Sequence, residues 1–376
     1  MEERCGESRH GPYFPTEGGP PQGALRGFLD GRHHGLVNDL SYRVCVEFLP
    51  PQELALPSVV RLLERFGVAP LLALPPHRDD LAGLLALAPF TRAGLGAGIW
   101  PLLDDRDGYW PSEGNAARFA ERTLGLLDLA ARHRLTVPWI AVDLEPRLDE
   151  LTRARRGPVG SLVAASLAHL DRRRFAVATA AYARLHKRIV AAGSRALAIA
   201  YPLVAADFAT GAETMQDLCE APLRCGWDRV AIMTYGSLIA GYSRGLLSVA
   251  DAQHYGYRAS RALAAALGRR AGAFVGVVGH GKLGDETAYQ HPDELAQEAA
   301  AARAAGVGEI ALYGLEGVLG SRDPESWLAA LTTPRAAPAR WRLRGALLHR
   351  SIEVGAVGVE LWRRLVPCDG AGGEGQ

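Results

Sequence analysis

Trp139-Ile140-Ala141-Val142-Asp143-Leu144-Glu145-Pro146 is the stretch whose reading decides the fold. A short apolar run is closed by acidic residues and a proline. That pattern fits a strand buried on both faces, as in a parallel sheet covered by helices. Residues 43–49, 69–74, 96–102, 196–202, 229–235, 273–279 and 309–314 read the same way. Between them run segments of helical period, clearest over 58–66, 113–134, 160–192, 250–268 and 293–305. Ser112 and the pair His291-Pro292 are the expected starts of the helices that follow them. The gap between the fourth and fifth strands has room for two helices.

Eight strands in strict alternation with helices predict an α/β fold, a closed (β/α)8 TIM barrel, over residues 41–333. An open doubly wound sheet would carry a glycine-rich phosphate turn after its first strand. This chain has Glu47-Phe48-Leu49-Pro50-Pro51 there instead. Residues 1–40 contain Gly18-Gly19-Pro20-Pro21 and His33-His34 with little periodicity, and are expected to form a loose N-terminal arm. Residues 334–376 are a C-terminal extension, expected to be helical and then disordered. Its helix is placed over 341–365, with Trp341, Leu343, Leu347, Leu348, Val357, Leu361 and Trp362 as apolar members. Glu353 and Glu360 interrupt the apolar pattern, which favours packing on the barrel over contact with a membrane surface.

The chain has 376 residues, 48% of them hydrophobic, and a net charge of +1. That balance gives no electrostatic reason to expect nucleic acid as a partner. Neither GxxxxGK[ST] nor GxGxxG follows a strand, so a nucleotide enzyme is not expected. Arginine is abundant, whereas Lys187 and Lys282 are the only lysines. Cys5, Cys45, Cys219, Cys225 and Cys368 are odd in number and form no CxxC, which predicts free thiols; a Cys219–Cys225 pair is the alternative. No basic region followed by an apolar run opens the chain, so a cytoplasmic location is expected. No apolar stretch reaches the roughly 20 residues of a membrane span, so no transmembrane segment is expected.

In a barrel of this kind the chemistry sits at the C-terminal ends of the strands. In order, these ends present Glu47; Pro75-Pro76-His77; Trp100 with Asp104 and Asp105; Asp143 and Glu145; Tyr201 with Asp207; Thr234 and Tyr235; His280 with Lys282; and Tyr313 with Glu316. Asp143 and Glu145 are two apart on a strand and so share a face. Two carboxyl groups in one restricted cavity cannot both ionise freely; one pKa rises, and a proton donor stands beside an acceptor. Glycosidic bond cleavage needs that combination, because the leaving oxygen must be protonated. The alternative is a solvated strand end, or a carboxylate paired with an arginine. Met233 and Tyr235 share a face by the same alternation, which lets Tyr235 donate a hydrogen bond into the cavity. The loop 98–111 is aromatic and acidic. Trp100, Tyr109 and Trp110 are suited to stacking on sugar rings or to covering the barrel end, and Asp104 and Asp105 to accepting from hydroxyls.

The strand-four and strand-six features together resemble the chitinase-like glycoside hydrolases of family 18. That family has an acidic strand-four motif ending in Asp-x-Glu, and a strand six that commonly ends in Met-x-Tyr-Asp. The resemblance implies that Glu145 is the general acid and that Asp143 orients a substrate N-acetyl group, whose acetamide attacks the anomeric carbon. It implies that Tyr235 helps to hold that acetamide. The chain departs from the pattern at Pro138 and Ala141, where earlier acids of the motif stand, and at Gly236, where the family has aspartate. The tryptophan that usually ends strand eight is replaced by Tyr313-Gly314-Leu315-Glu316. Glu145-Pro146 also resembles the Asn-Glu-Pro of retaining β-glycosidases, with Leu144 in place of the asparagine and His280, not a glutamate, ending strand seven.

The expectation is therefore a glycosidase-like barrel acting on a carbohydrate or other small polar substrate, with no cofactor and no metal. Glu145, Asp143 and Tyr235 are its candidate catalytic residues. Glu47, Trp100, Asp104, Trp110, Tyr201, His280, Tyr313 and Glu316 are its candidate substrate contacts. Two alternatives stand beside it. One is a carbohydrate-binding barrel without catalysis. The other is a metal-dependent, sugar isomerase-like enzyme in which Glu47, Asp104, Glu145, His280 and Glu316 converge on a divalent cation.

Overall fold

The computed structural model describes residues 40–156 and 170–365. Strands β1 (Ser41–Val46), β2 (Val68–Leu74), β3 (Gly98–Pro101), β4 (Trp139–Asp143), β5 (Arg195–Ala200), β6 (Arg229–Met233), β7 (Ala271–Gly276) and β8 (Glu309–Tyr313) close a barrel in chain order. Every neighbouring pair is parallel. Closure sets Tyr42 opposite Ile310 and Val44 opposite Leu312. The expected (β/α)8 barrel is the observed one. The strands stop short of their apolar runs, because Glu47, Glu145, Tyr201 and Tyr235 already belong to the loops of the mouth.

Alternation along the strands separates two apolar regions. Val44, Leu72, Ile140, Ala198, Ile232 and Ile310 face the surrounding helices. Cys45, Leu71, Ala73, Trp139, Ala141, Leu197, Ile199, Ala231, Phe274 and Ala311 fill the barrel. The filling is tight enough to require glycine at 98. A β-carbon there would stand 2.7 Å from the Trp139 carbonyl and 2.9 Å from the Leu71 side chain.

The floor of the barrel is ionic. The guanidinium groups of Arg43, Arg195 and Arg229 lie 4.5, 4.3 and 5.2 Å from the centre of the Trp139 ring. Buried Glu309 accepts from Arg43 Nε at 2.7 Å and also pairs with Arg229. These residues stand at or near the starts of β1, β4, β5, β6 and β8, so the cluster seals the end opposite the mouth.

Several helix expectations need correction. The helix expected from Glu113 begins at Ala116, and Ser112 does not cap it. Asn115 instead accepts from Ser112 N at 2.8 Å and donates to Trp110 O at 2.8 Å, tying down the preceding loop. His291-Pro292 does open the helix Pro292–Ala305, with Glu294 accepting from His291 N at 3.0 Å. Leu148–Arg156 and Arg172–Ala191 fill the gap between β4 and β5; the part of the expected helix over 160–169 lies outside the described residues. So do the expected N-terminal arm up to residue 39, the tail 366–376, Cys5 and Cys368. Cys45, Cys219 and Cys225 are buried free thiols.

The C-terminal helix spans Leu343–Leu365 and packs on the helices Val249–Leu267 and Ala205–Thr210. That packing was expected, but most of the apolar members turn away from it and Leu348 is only half-buried. Leu343, Leu347, Val357, Leu361 and Trp362 are exposed, whereas Gly345, His349 and Ala356 face inward. No described helix is long and apolar enough to cross a membrane.

Candidate active site at the barrel mouth

Glu47, Asp143 and Glu145 come together above the apolar filling, 4%, 4% and 8% exposed. Tyrosines are their hydrogen-bonding partners. Tyr109 donates to Glu47 Oε1 at 2.5 Å, and Tyr313 donates to Glu47 Oε2. Tyr201 donates to Glu145 Oε2 at 2.6 Å. Asp143 and Glu145 stand close enough that each bears on the other's ionisation. Among the described residues none of the three carboxyl groups has an ion pair with Arg, Lys or His, so both the solvated strand end and the arginine-paired carboxylate are set aside.

Burial without a cation penalises the charged forms. Burial pushes Asp143 well up from the usual carboxylate range, with the charges of Glu145 and Glu47 adding to it. Burial likewise pushes Glu145 up to about 7, and the Tyr201 hydrogen bond works against that rise. Glu47 is raised by burial and held back by Tyr109 and Tyr313. The mouth thus holds at least one carboxylic acid proton at neutral pH beside carboxylates able to accept one. Tyr201→Phe removes the hydrogen bond that favours ionised Glu145. The acid form should then persist to higher pH. The alkaline limb of a pH–rate profile should move upward; a limb that stays or moves down would refute this role for Tyr201.

Tyr235 lies at the same place, 8% exposed, its ring centre 5.8 Å from that of Tyr313. Asp143, Glu145 and Glu47 are close enough to add to the upward push that burial gives its hydroxyl. Met233 shares the barrel interior with it, as the alternation predicts. Two buried polar atoms of this region lack a hydrogen-bond partner: Asp143 Oδ1 and Trp100 Nε1.

Other expected contacts stand differently. Trp100, Tyr109 and Trp110 are 3%, 4% and 5% exposed, so they pack over the barrel end and do not form an open stacking platform. Asp104 turns away and caps the short turn after β3, accepting from Arg106 N at 3.2 Å. His280 is exposed on the rim, stacked on Phe48 with ring centres 5.0 Å apart. Glu316 is spent on the loop after β1, accepting from Phe48 N at 2.8 Å and Leu49 N at 3.0 Å. Asp104, His280 and Glu316 are therefore turned to other partners, and among the described residues the five do not form the cation site of the alternative reading. Asp207 is buried below, accepting from Met215 N and Gln216 N.

Four residues matter more than their sequence context shows. Arg78 donates to Ala73 O at 2.9 Å and Glu47 O at 2.8 Å, fixing the backbone beside Glu47. Lys282 bridges to Asp105 at 3.0 Å and lies 4.2 Å over the Tyr109 ring, strapping the loops after β3 and β7 together. Glu298 accepts from Gly236 N at 2.9 Å, Gly276 N at 3.0 Å and Tyr289 Oη at 3.0 Å, locking the ends of β6 and β7. Tyr289 also accounts for Gly236. A β-carbon there would stand 2.5 Å from the Tyr289 hydroxyl, so no aspartate fits after Tyr235.

No protein-family model matches this sequence, and neither does any curated protein. Among solved structures, the chain is similar to the PgaB (BpsB) glycoside hydrolase domain from Bordetella bronchiseptica. The identity is 13% over 78% of this chain and 99% of that one, with a TM-score of 0.46. It is similar to the catalytic domain of a hyperthermophilic chitinase from Pyrococcus furiosus, at 10% identity over 85% and 97% of the two chains and a TM-score of 0.42. It is also similar to a D-allulose 3-epimerase from Methylomonas sp., at 12% identity over 87% and 98% and a TM-score of 0.40.

Proposed function

We propose that the mouth is an acid/base centre that hydrolyses a glycan, with Glu145 as proton donor, Asp143 as its electrostatic partner and Tyr235 as a hydrogen-bond donor to the substrate. The observation that carries this is the buried Asp143–Glu145 pair at the barrel mouth, with Tyr201 donating to Glu145. Glu145 is pushed up to about 7, which suits a general acid working near neutrality. Asp143 has an unpartnered buried oxygen, which a substrate N–H or O–H would satisfy. The resemblance of Asp143-x-Glu145 and Met233-x-Tyr235 to the chitinase-like pattern makes N-acetylhexosamine glycans the first substrates to try.

A second reading is a barrel that binds a glycan without cleaving it. The filled space beside Gly236 favours it, since the acid that the chitinase-like pattern places there is excluded. The test is to incubate the protein with β-linked N-acetylglucosamine oligomers and a panel of other oligosaccharides, following products by mass spectrometry. Hydrolysis with a bell-shaped pH–rate profile is expected. Binding without products on any member of the panel would favour the second reading. Stoichiometric Mn, Zn or Mg in the active protein would refute a metal-free acid/base centre.

A further inference from the structure

The helix Leu343–Leu365 is built inside out. Its barrel-facing side is mostly small or polar, with Ile352 packed beside Ala356 and Leu348 half-buried. Gly345 lies so close to the helix Val249–Leu267 that a β-carbon would stand 2.4 Å from Asp251 O. Glu353 receives His349 Nε2 at 3.3 Å, and Glu360 receives the Thr214 hydroxyl at 2.8 Å. Arg363 pairs with buried Asp217. The outward side is apolar. Leu343, Leu347, Val354, Val357, Leu361 and Leu365 are 57%, 55%, 57%, 42%, 53% and 80% exposed. Steps of three, four and seven residues keep them on one side of the helix, with exposed Arg350 and Ser351 between Leu347 and Val354. Trp341 and Trp362 add exposed aromatic surface near its two ends, at 67% and 54%. Leu246, 69% exposed, extends the patch at the N-terminal end, where Arg344 donates to its carbonyl at 3.0 Å. At about 1.5 Å per residue the stripe runs some 30 Å, longer than an ordinary soluble surface leaves open.

Charge identifies what covers it. Arg340, Arg342, Arg344 and Arg350 are exposed around the stripe. The helix's two acids, Glu353 and Glu360, are turned toward the barrel, with side chains 19% and 17% exposed. Arg350 reaches back to Glu353 at 3.1 Å, and Arg340, Arg342 and Arg344 leave the N-terminal part of the outward face apolar and cationic. We infer that this helix lies on an anionic lipid surface, its leucines and tryptophans at the headgroup–acyl boundary and its arginines on lipid phosphates. This placement does not depend on the chemistry of the mouth.

The test is sedimentation of the full chain with vesicles of phosphatidylcholine alone, or of phosphatidylcholine and phosphatidylglycerol in equal parts. Binding to the anionic vesicles is expected, several-fold weaker on phosphatidylcholine and reduced by salt. The triple variant Leu347→Glu, Val354→Glu, Leu361→Glu alters only exposed side chains, so it should keep the wild-type circular dichroism. It should lose binding by about tenfold or more. Three results would overturn the inference: no vesicle binding by the wild type, equal binding by the triple variant, or a wild-type dimer that the triple variant converts to monomer. Binding that appears only after removal of residues 1–39 would also overturn it, because that segment would then be the occupant.

Discussion

Replacing Glu145 by glutamine is expected to abolish glycan hydrolysis, lowering the rate by about 10²–10⁴-fold, the usual worth of a positioned general acid. Glutamine keeps the shape and can still accept from Tyr201, but it has no proton to deliver. Substrate binding should survive, so the loss should fall on kcat and leave KM nearly unchanged. The same substitution makes an opposite prediction for stability. In the folded chain Glu145 is raised from 4.5 to about 7. A raised carboxyl contributes stability that is fully present below its unfolded pKa and is lost as pH rises through its folded one. The wild type therefore carries a liability above pH 7 that the variant lacks. The difference in Tm, variant minus wild type, should grow in the variant's favour between pH 5 and pH 8. A variant that is inactive and also less stable at every pH would mean that Glu145 serves the fold and not the reaction.

Glu309→Gln should have the largest effect on stability. Glu309 is fully buried and is the carboxylate that pairs with Arg43 and Arg229 on the floor. Its loss leaves the buried Arg43 guanidinium without that counter-charge and takes one from Arg229. Breaking such a buried pair from one side costs about 3–5 kcal/mol. That is a large share of the roughly 5–15 kcal/mol by which domains are stable. The urea midpoint should fall accordingly with an unchanged m-value. A shift worth less than about 1 kcal/mol would mean that the arginines are hydrated and the floor is open.

The barrel was legible because its signal is local: each strand is a short apolar run, and eight of them alternate with helical periods. Asp143 and Glu145 were legible for the same reason, since strand geometry alone puts residues two apart on one face. What was hidden depends on loop paths. Tyr109 and Tyr313 reach Glu47 from 62 and 266 residues away, and no spacing rule connects them. Asp104, His280 and Glu316 sit at strand ends as expected, but turn capping, ring stacking and a backbone contact direct them elsewhere. Glu298 looks like one more acid on an alanine-rich helix, and only the fold shows it buried under Gly236 and Gly276. For the C-terminal helix, packing on the barrel was read correctly, but most of its apolar members face outward. An apolar stripe fixes which residues lie together, but not whether protein or something else covers them.

The strap across the mouth has a practical consequence. With lysine at only 187 and 282, an amine-reactive reagent finds few side-chain targets. Lys187 is exposed on the outer helix Arg172–Ala191, well suited as an internal reference. Lys282 stands at the entrance, bridging to Asp105 over the Tyr109 ring. A ligand seated at the barrel mouth would shield it, so the ratio of label at the two lysines would footprint occupancy without any engineered probe. Acylating Lys282 would also delete the charge that holds the strap, turning the same reagent from a reporter of the entrance into a way of unfastening it.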